Sequence, residues 1–200
     1  YDRVFNFGNY DSSVSLSEYQ QNGGYEALRM AIGNPKQALE EICRAGLRGR
    51  GGAAFPAGLK LKMMQGNTEK QRYIVCNADE GEPGTFKDRF IMNHIPFQLL
   101  EGITIAAILA DAENGFVYIR HEYPLAQETI KKSIAEAEAA GLLGDNILGS
   151  EFSLHLKIFS GAGSYLCGEE TALLSSIEGK KGRPRVKPPF PIESGLWGKP

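Results

Sequence analysis

The chain has 200 residues, 42% of them apolar, which is enough for one domain with a real core. Its 22 basic and 24 acidic residues leave a formal charge of -2, so the electrostatics favour neither nucleic acid nor an anionic membrane surface as a partner. The longest apolar stretch, residues 99–112, contains Glu101 and Asp111 and is too short to span a bilayer, so it reads as a core helix with no direct membrane insertion.

In chain order, residues 1–24 are polar and aperiodic and read as an extended N-terminal arm; residues 25–200 read as one domain. Leu28, Ile32, Leu39, Ile42 and Cys43 fall at helical spacing over residues 25–30 and 35–44, with Pro35 suited to a first turn. A glycine-rich stretch follows. Tyr73 to Cys76 reads as a buried strand, residues 95–110 as a long helix, and Phe116 to Ile119 as the next strand. Residues 124–140 are helical up to Gly141, Phe152 to Phe159 alternates as a strand, and residues 169–177 return to helix. Alternating strands and helices predict an α/β fold, a mostly parallel sheet flanked by helices. In such sheets ligands sit beyond the carboxyl ends of the strands, so the loops after Cys76, Ile119 and Phe159 are where a site belongs.

No basic segment precedes an apolar run at the N-terminus, so no secretory signal is expected and a reducing, cytoplasmic setting fits best. Cys43, Cys76 and Cys167 lie far apart without Cys-x-x-Cys spacing, and each reads as a small buried hydrophobe; no metal site is expected from them. His94, His121 and His155 show no ligand spacing either.

Four segments carry possible chemistry. The first is residues 46–60, with Gly46, Gly49, Gly51, Gly52 and Gly58. Its glycines let backbone N–H groups approach an anion, and Arg50, Lys60 and a helix start near Pro56 supply positive potential. Gly49-x-Gly51-x-x-Ala54 follows a helical segment rather than a strand, which argues against an ordinary Rossmann unit, and no Gly-Lys-Ser/Thr is present for a Walker loop. The second is Asn77-Ala78-Asp79-Glu80-Gly81-Glu82, carboxylates directly after a strand; they suit ribityl or ribose hydroxyls, a magnesium ion or a solvated turn. The third, residues 160–171, turns from strand to helix with Glu169 and Glu170 in the first helical turn, where they could bind a ligand or only offset the helix dipole. The fourth, Lys187-Pro188-Pro189-Phe190-Pro191, reads as a stiff extended segment holding a lysine and a ring.

Together these motifs, Gly-Leu-Arg-Gly-Arg-Gly-Gly, Cys-Asn-Ala-Asp-Glu, Cys-Gly-Glu-Glu-Thr-Ala and Lys-Pro-Pro-Phe-Pro, resemble the NADH- and FMN-binding flavoprotein subunit of respiratory complex I and the related diaphorase subunits of NAD-linked hydrogenases and formate dehydrogenases. The resemblance runs from about Tyr25 to Pro200 and implies an atypical Rossmann-like flavin-binding domain. It places FMN on Gly49, Arg50, Gly51, Gly52, Lys60, Asn77, Asp79, Glu80, Tyr165, Gly168, Glu169 and Glu170, and NADH on Phe55, Glu82, Glu170, Lys187 and Phe190. The chain departs from the family pattern at Ala54, where glycine is usual, at Leu61, where tryptophan is, and at Met63, where an aromatic is frequent.

The resemblance further implies hydride transfer from NADH to FMN, then single electrons to an iron–sulfur centre in partner subunits of a larger complex peripheral to the inner membrane. It implies a continuation past Pro200, with an Asn-rich segment completing the flavin site and a helical domain holding a 4Fe-4S cluster, so that residues 25–200 are an FMN/NADH-binding domain cut short at its C-terminal end. A scaffold that has lost the cofactor and a metal-dependent nucleotide-binding protein are the alternative readings.

Overall fold

A computed structural model describes residues 12–69 and 71–200. Three strands, β1 (Tyr73–Ala78), β2 (Asn114–Ile119) and β3 (His155–Ser160), form a parallel sheet in the order β1-β2-β3. The strands end level with one another, Ala78 opposite Ile119 and Ile119 opposite Ser160, so the three following loops leave the sheet side by side. That common edge is where an open parallel sheet offers a crevice.

Helices α5 (Lys87–His94) and α6 (Pro96–Ala110) cross from β1 to β2, and α7 (Pro124–Ala139) crosses from β2 to β3. The period of two sorts the middle strand: Val117 and Ile119 join a large core with Leu100, Ile103, Ile130 and Ile134 from α6 and α7. Phe116 and Tyr118 point to the other face, where Leu173, Leu174 and Ile177 of α8 (Glu170–Ile177) and Leu196 cover them. Helices α2 (Glu26–Gly33) and α3 (Pro35–Arg44) lead to the glycine-rich loop and α4 (Ala57–Gln65), and a short α9 (Pro191–Ser194) lies near the end. Among the described residues no single helix is long and apolar enough to cross a membrane; α5 and α6 satisfy that test only as a pair bent by 102°, and α6 is largely core.

The sequence expectations fail at four places. The described part of the expected arm, residues 12–24, contains a helix, α1 (Leu16–Gln21), capped by Ser15, and Val14 and Tyr19 join the main core. The buried carboxylate of Glu101 on α6 draws it in, accepting the Tyr19 hydroxyl and the Tyr25 and Leu28 amides. The rest of the expected arm, residues 1–11, lies outside the described residues. Helix α5 has no apolar period to announce it; the Glu80 carboxylate starts it by accepting the Asp88 and Arg89 amides at 3.0 and 3.2 Å. Strand β3 begins at His155 rather than Phe152. The proline segment is not an all-trans extended run, since the Lys187–Pro188 and Pro188–Pro189 bonds are both cis.

Candidate functional site

The loop after β1 is held in place mainly by side chains. Asn77 Nδ2 donates to the Gly168 carbonyl (3.0 Å), and Asn77 Oδ1 accepts the Asp79 amide (3.2 Å), so one amide side chain ties the end of β1 to the turn after β3. Asp79 is 9% exposed, and its Oδ2 is buried without a hydrogen-bond partner. Burial pushes the Asp79 carboxyl above the usual range; nearby Arg120 pulls against this, and Glu122 adds to it. Asp79, Gly81, Arg120, Gly163, Ser164 and Tyr165 line a recess of about 90 Å³. Glu82 projects to solvent and accepts the Tyr165 hydroxyl at 2.7 Å. The three carboxylates of this loop therefore do not converge on one point, as a shared magnesium ion would require.

A second cluster forms around Lys187. Its Nζ is paired with Glu170 Oε1 and lies 3.0 Å from Glu169 Oε1, and Lys60 Nζ approaches Glu170 from the other side at 4.0 Å. Donation to Glu170 foremost, and then to Glu169, raises the Lys187 pKa against the opposing pull of burial. Glu169 is the N-cap of α8, accepting the Thr171 and Ala172 amides at 2.8 and 2.9 Å. Burial pushes its carboxyl up, but these bonds, the Thr171 hydroxyl and Lys187 together outweigh burial and hold it low. Lys60, Asn77 and Glu170 share the wall of a largely apolar groove of about 400 Å³ that runs along β1 between α4 and α8.

The glycine-rich loop closes on itself. The Gly49 amide donates to the Phe55 carbonyl and the Ala57 amide to the Leu47 carbonyl, both at 2.9 Å, so residues 49–55 form a tight projecting turn directly before α4. Gly52 has φ 108°, which a side chain would strain, and a Cβ at Gly51 or Gly52 would point into open space. Ala54 has φ 51°, the left-handed region, which gives a physical reason for the family's glycine at this position. Gly58 plays a different part from the one expected. It is buried, and a Cβ there would lie 2.5 Å from Cys43 Sγ, so it permits α3 and α4 to pack rather than a ligand to approach.

The expected site residues thus fall into three groups. Asn77, Asp79, Tyr165, Gly168 and Glu82 meet at the strand ends, while Lys60, Glu169, Glu170 and Lys187 meet beside the groove. Gly49, Arg50, Gly51 and Gly52 stand exposed on the projecting turn. Phe55 and Phe190 are about half exposed, at 47% and 49%, and among the described residues neither pairs with another ring. The side chain of Glu80, like that of Glu169, is directed into a helix N-terminus and away from the recess. Arg120 escaped the sequence reading although it follows β2 directly and lines the recess; only its place at a strand end marked it.

The parallel sheet with level strand ends and the glycine turn before α4 make this an α/β domain of the class that binds ligands beyond its strand ends. Residues 42–197 match the family described as the Nuo51 FMN-binding domain, and the chain belongs to that family. It is 50% identical over 187 residues to an NADH-quinone oxidoreductase subunit of Aquifex aeolicus, covering 93% of this chain and 44% of that protein. It is 48% identical to the NADH-quinone oxidoreductase subunit of the same kind in Escherichia coli (94% and 43%) and 47% identical to an NADP-reducing hydrogenase subunit, HndC, of Solidesulfovibrio fructosivorans (93% and 38%). The chain therefore spans less than half the length of these relatives. Among solved structures, an NAD+-reducing [NiFe]-hydrogenase in its H2-reduced state superposes with a TM-score of 0.76 at 40% identity, covering 88% of this chain and 30% of that one. The expected α/β fold with a parallel sheet is thereby confirmed.

Proposed function

We propose that the chain is the FMN- and NADH-binding part of an electron-input flavoprotein subunit, assembled with iron–sulfur subunits of a larger redox complex. The observation that carries the reading is the buried, unpartnered Oδ2 of Asp79 at the strand ends of an FMN-binding family member. A buried acceptor without a donor costs stability, and the hydroxyls of a ribityl chain are donors of the matching kind. The names of the relatives, an NADH-quinone oxidoreductase subunit and an NAD+-reducing hydrogenase, support NADH as the electron donor.

In this reading Gly51 and Gly52 offer backbone amides, and Arg50 and Lys60 charge, to the FMN phosphate, while Gly49, whose amide is bonded to the Phe55 carbonyl, shapes the turn that presents them. Asn77, Asp79, Tyr165 and Gly168 border the rest of the cofactor. Glu80 and Glu169 shape the site rather than meet the cofactor with their carboxylates, which cap α5 and α8. Phe55 and Phe190 stack on NADH, and Glu82, Glu170 and Lys187 bind its polar parts. FMN, when bound, supplies the hydride acceptor and the step from electron pairs to single electrons, which pass to an iron–sulfur acceptor elsewhere in the complex. The protein orients donor and acceptor so that their reaction becomes a unimolecular step.

The test is optical. Purified protein titrated with FMN should acquire flavin absorbance bands shifted from those of free FMN, and NADH added without oxygen should bleach them. Failure to take up FMN would leave a non-catalytic scaffold as the better reading.

A further inference from the structure

We infer that Arg120 is a positioning residue of this site: its guanidinium locks the loop that carries Asp79 and Glu82 onto the end of the middle strand. The inference rests on the FMN reading for its functional consequence but on geometry for its substance. Because β2 is the central strand, the residue that follows it can reach the loops on both sides. Arg120 Nη1 donates to the Glu80 carbonyl at 2.6 Å, while Nε and Nη2 reach the two Glu122 oxygens at 3.4 and 3.0 Å. The guanidinium lies over the Tyr123 ring at 5.3 Å, and Arg89 lies over the same ring at 5.4 Å.

Glu80 is thereby held at both ends. Its carbonyl is fixed by Arg120, and its carboxylate by the first amides of α5 and, at 3.4 Å, by the Tyr123 hydroxyl. Its neighbours Asp79 and Gly81 have no such anchors of their own from β2, yet they line the recess with Arg120. Only a planar fork can serve Glu80 and Glu122 at once while lying on a ring; a lysine could supply the charge but not this set of contacts. The pairing with Glu122, whose side chain is 44% exposed, adds little by itself, so the bond to the Glu80 carbonyl is the one with consequence.

Two readouts separate this inference from the reading beneath it. The first is amide hydrogen exchange in wild type and Arg120→Lys. The Asp79 and Gly81 amides, bonded to Asn77 Oδ1 and the Asp79 carbonyl, should exchange at least tenfold faster in the variant while β2 and β3 keep their protection. The second is FMN affinity, which should fall about tenfold or more in both Arg120→Lys and Arg120→Ala, with guanidinium ion restoring part of it in Arg120→Ala and with Glu122→Gln near wild type. Unchanged exchange at Asp79 and Gly81 overturns the inference whether or not FMN binds. A rise spread evenly over the sheet overturns it too, by making Arg120 a general stabiliser. If wild type takes up no FMN while the local exchange effect is present, the functional reading fails and the positioning role stands.

Discussion

Tyr165, in the turn after β3, donates its hydroxyl to Glu82 in the loop after β1 at 2.7 Å, joining two segments 83 residues apart across the end of the sheet. Both side chains are exposed, Tyr165 by 65%, so water and ligand hydroxyls can compete for the bond. The carboxylate stabilises the protonated phenol and raises the Tyr165 pKa. Glu82 thus presents its carboxylate beside the recess, already oriented to accept hydrogen bonds from hydroxyl groups.

If the adenine ribose of NADH uses that carboxylate, the same charge repels the 2′-phosphate of NADPH. One charge pair at about 4 Å and an effective dielectric of about 20 is worth roughly 4 kcal/mol before screening. At an exposed rim about a third of that, roughly 1.4 kcal/mol, is a reasonable remainder. Glu82→Gln in the FMN-loaded protein should then raise kcat/KM for NADPH relative to NADH about tenfold, with FMN retention near wild type. An unchanged ratio would leave Glu82 as a partner of Tyr165 only, and loss of flavin would assign it to the FMN shell.

Asp79 should show a conflict between stability and binding. With its pKa raised in the folded state, chiefly by burial, the folded protein carries a cost once the carboxyl ionises. The sign follows from linkage: the favourable, protonated state is fully present below the ordinary pKa of about 3.9 and is lost as pH rises through the folded value. Asp79→Asn should thus melt higher than wild type near neutral pH, by about 1 kcal/mol or more, and the gap should close as the pH is lowered below about 4. FMN affinity should move the opposite way, weakening roughly 10- to 100-fold through loss of a charged acceptor. Melting curves across pH, with and without FMN, measure both; a variant no more stable than wild type at neutral pH would show that Asp79 is solvated.

Much of the sheet and the long helices was legible, because period-two strands and the apolar run of α6 are local signals. What escaped depends on tertiary contacts. Helix α5 begins where Glu80, eight residues before Asp88, supplies the missing acceptors. Side-chain direction was equally hidden: Glu80 and Glu169 stand at the right places in the sequence for cofactor-facing acids, yet both carboxylates cap helices. A lone arginine such as Arg120 resembles any solvated loop residue until β2 is seen to be the middle strand. The positive φ of Ala54 gives a backbone reason for the glycine expected at that position, not for the alanine that stands there.

The junction between α6 and residues 12–28 supplies the last prediction. Glu101 is 6% exposed and accepts three donors from a segment more than 70 positions away: the Tyr19 hydroxyl, and the Tyr25 and Leu28 amides, each at 3.0 Å. The two amides belong to the first turn of α2, so the carboxylate serves as that helix's cap, and the helix dipole favours its charge. Burial, and then proximity to this carboxylate, holds both tyrosines above their ordinary pKa, which keeps the Tyr19 hydroxyl a protonated donor to Glu101. Glu101→Ala would leave the Tyr25 and Leu28 amides without this acceptor and remove one partner of the Tyr19 hydroxyl; at about 1–3 kcal/mol for each amide, the loss should be roughly 3 kcal/mol. Glu101→Gln keeps one acceptor oxygen and should lose about half as much. Denaturant unfolding of the two variants checks the ranking, and limited proteolysis should show cleavage within residues 12–25 before the sheet opens. A Glu101→Ala variant as stable as wild type, with these residues still protected, would mean that packing of Val14 and Tyr19 holds the segment without the carboxylate.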